Sequence, residues 1–108
     1  MIVFVPGYDP ATNANLTVAR DLLSAEDLAL LAGRATHANL IEALRTQATE
    51  ALFAMSHGHP DFLCAQGGDP ALSAHDAAIT GRRSVYAFAC HTASRLGSRM
   101  SQSGVTWW

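Results

Sequence analysis

Four short apolar runs constrain this chain most: Ile2–Val5, Leu28–Leu31, Ala51–Ser56 and Val85–Ala89. None alternates apolar with polar residues in the way of a sheet with one wet face. Runs of this kind suit strands covered on both sides, as in a parallel sheet packed between helices. Leu28–Leu31 is the ambiguous member. Ser24-Ala25-Glu26-Asp27 ahead of it looks like a helix start, but the strand is the preferred reading.

The segments between these runs carry helical spacing. After a polar loop over Tyr8–Asn15, Leu16, Ala19, Leu22 and Leu23 predict a short helix. Thr36 can cap the next one, in which Leu40, Leu44 and Ala48 lie four apart and Ile41 widens the apolar face. Gly58-His59-Pro60 and Gln66–Pro70 bracket an excursion around Phe62–Ala65, read as a hairpin arm. Ser73–Ile79 suggests a helical turn ending near Gly81. Ala93, Leu96 and Met100 mark a short helix, and Val105–Trp108 a last strand. Tyr86 and Phe88, alternating with Val85 and Ala87, are read as core. The expected fold is one α/β domain over residues 1–108 with a mainly parallel sheet.

Hydrophobic residues make up 49% of the chain, enough for a core and too many for a disordered segment. Net charge is −2, every basic residue is an arginine, and only Arg82-Arg83 are clustered, so nucleic acid is not expected as a partner. No apolar run approaches the ~20 residues of a membrane span. Met1–Gly7 lacks the basic start of a signal peptide. Two cysteines, Cys64 and Cys90, make no secreted disulfide framework. The expected compartment is the reducing cytoplasm, where Cys90 stays a free thiol.

His57 and Cys90 each follow an apolar run, and functional groups on a parallel sheet gather beyond the carboxyl ends of its strands. A histidine beside a thiol can take its proton and yield a nucleophilic thiolate. Gly58 leaves a backbone N–H open, and with the N–H of Cys90 it could bind an oxyanion. The plainer alternative is a buried, inert Cys90 with His57 in a loop cap. Asp9, after the first run, falls on the same sheet edge; it either lines a substrate pocket for a basic side chain or shapes the turn before Pro10. No residue that would orient His57 stands out. His57, His59, His75 and His91 match no common zinc spacing, so neither metal nor other cofactor is expected. Cys64 is read as structural, and Arg95 and Arg99 as a solvated helix face. A Gly-x-Ser-x-Gly elbow and a phosphate-binding glycine loop are both missing.

Ala54-Met55-Ser56-His57-Gly58 resembles the histidine motif of caspase-like peptidases, above all the CHAT type. Phe88-Ala89-Cys90-His91-Thr92-Ala93-Ser94-Arg95-Leu96-Gly97 resembles that group's cysteine motif, and Ala35–Leu40 is similar to the helix start that precedes its histidine strand. The resemblance implies a caspase-like αβα sandwich and a Cys90/His57 dyad hydrolysing peptide bonds in a protein or peptide substrate. It also implies a role in bacterial defence or cell death, such as cleaving a pore-forming partner. Three departures qualify it. Phe88 stands where caspases carry Gln, and His91-Thr92 follow the cysteine. The interval from His57 to Cys90 is shorter than the ~50 residues of caspases. CHAT-type domains also continue beyond the strand that Val105–Trp108 resembles. The sheet is therefore expected to be incomplete there, with a longer native chain, a second chain or homodimer partner, or a minimal form as the alternatives. The competing functional expectation is a non-catalytic caspase-like module that binds a partner through its open sheet edge.

Overall fold

A computed structural model describes residues 1–108. Strands β1 (Ile2–Val5), β2 (Leu28–Leu31), β3 (Leu52–Met55), β6 (Ser84–Phe88) and β7 (Thr106–Trp107) form one sheet in the order β2-β1-β3-β6-β7. Every pairing in it is parallel. With these strands counted by themselves the order is 2-1-3-4-5, one that recurs in doubly wound sheets, whose switch point lies between the first and third strands. Strands β4 (Phe62–Cys64) and β5 (Pro70–Ser73) form a separate antiparallel hairpin.

Register divides the side chains between two faces. Ile2, Phe4, Leu52, Ala54 and Val85 point into the larger core. That core is closed by Leu40 and Leu44 of α2 (His37–Thr46), by Leu63 and Leu72 of the hairpin, and by Leu96 and Met100 of the carboxyl-terminal helical segment. On the other face, Val3, Val5 and Met55 meet Leu16 and Ala19 of α1 (Pro10–Leu22). Helices thus flank the sheet on both sides. No helix is long and apolar enough to cross a membrane.

The helical starts follow local chemistry. Thr36 caps α2 by accepting the Asn39 N–H, as its position suggests. Helix α1 begins earlier than expected, at Pro10 rather than beyond Asn15. Asp9 is its cap, Pro10 occupies the first turn, and Thr12 completes a capping box with Asp9. Helix α2 stops at Thr46, so Ala48 lies outside it. Strand β5 takes Pro70–Ser73, and the turn after it is 3₁₀ over Ala74–Asp76 before the short α3 (Ala77–Thr80). The last helical segment opens with a π turn over Ala93–Gly97 and continues as α4 (Ser98–Gln102). Trp107 packs on Gly97, where an added Cβ would lie 2.7 Å from the indole.

Tyr86 and Phe88 are not core. They lie on the α1 face, in register with Phe53 and Met55, but α1 packs mainly on β1 and β3. Phe88 is 66% exposed and Tyr86 41%, and Tyr86 stacks instead on Trp108 with ring centroids 5.9 Å apart.

Arg83, just ahead of β6, is 6% exposed. Its Nε donates to the carbonyl of Thr80, and its two terminal nitrogens donate to the carbonyls of Leu44, Gln47, Ala48 and Glu50. Four of these acceptors lie at or beyond the carboxyl end of α2, where helical carbonyls lack partners and a cation is favoured. Burial lowers the pKa of this guanidinium, which stays charged.

Candidate active site

The carboxyl end of the sheet gathers three side chains from three strand ends. The chain leaving β1 passes Pro6 and Gly7 and reaches Asp9 at the start of α1. A reciprocal pair holds this turn from outside: the Gly7 N–H donates to Gln66 Oε1, and Gln66 Nε2 donates to the Gly7 carbonyl, both at 2.8 Å. Asp9 Oδ1 accepts the N–H and the hydroxyl of Thr12, each at 2.8 Å. Its Oδ2 lies 2.5 Å from His57 Nε2. The Thr12 N–H bond, then His57, then the Thr12 hydroxyl draw the Asp9 carboxyl down to about pKa 2. Asp9 is therefore an anion at neutral pH, and the Tyr8 ring lies edge-on to the imidazole at 5.8 Å.

His57 follows β3 and is held through its backbone. The Ser56 N–H extends the β3–β6 ladder to the Phe88 carbonyl, and the Ser56 hydroxyl donates to the Cys64 carbonyl at 2.6 Å. The Cys64 N–H returns to the His57 carbonyl at 3.0 Å. Strand β4 thus braces the histidine from behind. The Cys64 thiol is buried, and burial raises its pKa, which leaves it a poor nucleophile.

Cys90 stands two residues beyond β6, and its thiol is free and exposed, contrary to the buried alternative. His91 turns the chain with φ 64°, a left-handed conformation uncommon outside glycine, and the helical segment leaves from there. The Thr92 hydroxyl ties that turn back to the Ala89 carbonyl. Three contacts bind the Cys90 and His57 segments together. A Cβ on Gly58 would lie 1.9 Å from the Cys90 carbonyl oxygen, so only glycine permits this approach. The Leu96 N–H donates to the Pro60 carbonyl. Arg95 makes a two-pronged pair with Asp61 at 2.7 and 2.8 Å, which lowers the Asp61 pKa and raises that of Arg95.

His57 and Cys90 line one open groove of about 490 Å³, whose other walls include Ala11 and Asn15 of α1, Ser56 and Phe88. The Cys90 thiol is not hydrogen-bonded to the imidazole, and hydrogen bonds between catalytic groups are often long before substrate binds. The N–H groups of Gly58 and Cys90 make no hydrogen bond within the chain. No protein-family model, curated protein or solved structure matches this chain.

Asp9 lies on the expected sheet edge. Of its two readings the turn before Pro10 is the one seen, as the cap of α1, while the pocket for a basic side chain is not supported. Both oxygens are engaged, one by Thr12 and one by His57, and Asp9 is not among the residues lining the groove. A free carboxylate for a basic substrate side chain is therefore lacking at this position. The capping signature Asp9-Pro10-x-Thr12 was available in the sequence; the bond to His57 was not. Gln66 and the Asp61–Arg95 pair carried no local signal. Three His, Cys, Asp or Glu side chains are nowhere grouped so as to hold a metal ion.

Proposed function

We propose that this chain is a caspase-like cysteine endopeptidase of the CHAT type, working in the reducing cytoplasm on a protein substrate. One observation carries the proposal: His57 and Cys90 follow adjacent parallel strands, in contact through Gly58, and share one groove. Cys90 transfers its thiol proton to His57, and the thiolate attacks the scissile carbonyl carbon. The resulting oxyanion accepts hydrogen bonds from the Gly58 and Cys90 amides. As the C–N bond breaks, His57 returns the proton to the leaving amine. Water, deprotonated by His57, then hydrolyses the thioester and restores the thiol. Activation of a partner in bacterial defence or cell death is the biological role that goes with this chemistry.

A mixed peptide library read by mass spectrometry tests the proposal. The wild-type chain should cleave a subset of peptides. Cys90→Ala should cleave none, and His57→Ala should lose about two orders of magnitude or more of the rate. Cleavage undiminished in Cys90→Ala would refute the peptidase.

The exposed Tyr86, Phe88 and Trp108 favour a second reading, a non-catalytic module that binds a partner through this side of the sheet. Iodoacetamide separates the two. Rapid alkylation of Cys90 that depends on His57 supports the enzyme, and the sluggish reaction of an unassisted thiol supports the module.

A further inference from the structure

Asp9 does more than a helix cap requires. A cap needs one side-chain oxygen for an amide of the first turn, and Oδ1 meets that need at Thr12. The other oxygen reaches across 48 positions of sequence to His57 Nε2. Asp9 follows β1 and His57 follows β3, and these strands are neighbours, so the pair sits at the switch point of the sheet, where such folds place their ligands.

We infer that Asp9 is the positioning residue of the site, holding the Nε2–H of His57 and leaving Nδ1 as the nitrogen that takes the proton of Cys90. The inference rests on the peptidase reading for its chemistry and on the observed hydrogen bond for its geometry. An ionised carboxylate can only accept, so the proton of the neutral imidazole lies on Nε2. Nδ1 makes no hydrogen bond within the chain. The carboxylate is itself fixed from behind. Thr12 bonds Oδ1 and also accepts the Asp9 N–H, while Gln66 clamps Gly7 two residues upstream. The anion thus holds its orientation without a contribution from substrate.

Asp9→Asn provides a test that leaves the helix start intact, since asparagine caps helices as well as aspartate. The Thr12 amide needs an oxygen, so the asparagine must present Oδ1 there and turn Nδ2 toward His57. A donor facing Nε2 forces the imidazole proton onto Nδ1, and the base is lost. The tautomer can be read in ¹⁵N-labelled protein from long-range imidazole correlations at about pH 9, where an ordinary imidazole is neutral. Alkylation of Cys90 by iodoacetamide is followed by peptide mapping at about pH 7 in wild type, Asp9→Asn and His57→Ala.

The expected result is an Nε2–H tautomer in wild type and Nδ1–H in Asp9→Asn, with alkylation slowed about tenfold, as in His57→Ala. An Nε2–H tautomer retained in Asp9→Asn overturns the inference. So does unchanged alkylation in Asp9→Asn when His57→Ala is slowed. If His57→Ala leaves alkylation untouched, the peptidase reading fails, and an inverted tautomer in the same samples still upholds the positioning of His57 by Asp9.

Discussion

The two ends of β6 treat their polar groups in opposite ways. At its amino end, Arg83 is buried and spends its guanidinium on five backbone carbonyls. At its carboxyl end, Cys90 lies in solvent, and its N–H and that of Gly58 have no acceptor in the chain. Buried polar groups are costly unless fully paired, so complete pairing marks a position that serves the fold. Unclaimed donors beside an exposed thiol mark a position where a ligand can complete the bonding. The same strand carries a structural centre and a candidate reactive one, separated by its own length.

The sharpest way to break this contrast is Arg83→Ala. Removing the guanidinium orphans carbonyls at the end of α2 and opens a void beside the larger core. The expected loss is about 3–4 kcal/mol of stability. That corresponds to a fall in Tm on the order of 15 °C or more for a chain of this size. Thermal unfolding followed by circular dichroism measures it. Cys90→Ala in the same assay should shift Tm by little, since exposed positions change stability by about 0.5 kcal/mol or less. A Tm for Arg83→Ala within a few degrees of wild type would show that the buried arginine is dispensable to the fold.

Gly58→Ala acts at the opposite end and should divide its effect differently. The added methyl meets the Cys90 carbonyl and the Thr92 methyl group, the latter at 2.8 Å. One of these is backbone, so the Cys90 turn must move. A stability loss of about 1–3 kcal/mol is expected from such overpacking. The larger consequence falls on chemistry: His57-dependent alkylation of Cys90 should drop toward that of an unassisted thiol. If Gly58→Ala reacts with iodoacetamide like wild type, the contact between the two motifs does not position the thiol.

Both ends of β6 were partly legible in the sequence, for different reasons. Strands β1 and β3 show as non-alternating apolar runs because burial on both faces leaves few places for polar residues; β6 reads the same way although Tyr86 and Phe88 on one of its faces are exposed. His57 and Cys90 could be placed at strand ends because each run stops just before them. Pairings across the fold were hidden. The bond from Asp9 to His57 exists because β1 and β3 are neighbours, a fact of strand order that no local spacing encodes. The burial of Arg83 had no local signal beside Arg82, since its acceptors are backbone carbonyls and leave no trace in residue identity. The alternation of Tyr86 and Phe88 with Val85 and Ala87 places them on one face and suggests core, yet both are exposed. How far α1 extends across that face depends on its packing direction, which periodicity does not report.

The smallest effect sharpens the comparison within β6 itself. Val85 is fully buried, and Phe88, three residues on and on the opposite face, is largely exposed. Val85→Ala should cost about 2 kcal/mol, because a hole is left among Leu52, Leu96 and their neighbours. Phe88→Ser removes a larger side chain and should change stability by only about 0.5 kcal/mol, since most of that ring already faces water. Urea unfolding of both variants decides between burial and size as the cause. Equal losses would mean that Phe88 is covered in solution, for instance by a second copy of the chain. That cause would appear as a dependence of the Phe88→Ser loss on protein concentration. A small, concentration-independent change in Phe88→Ser would leave the exposed side of β6 free to serve the groove beside Cys90.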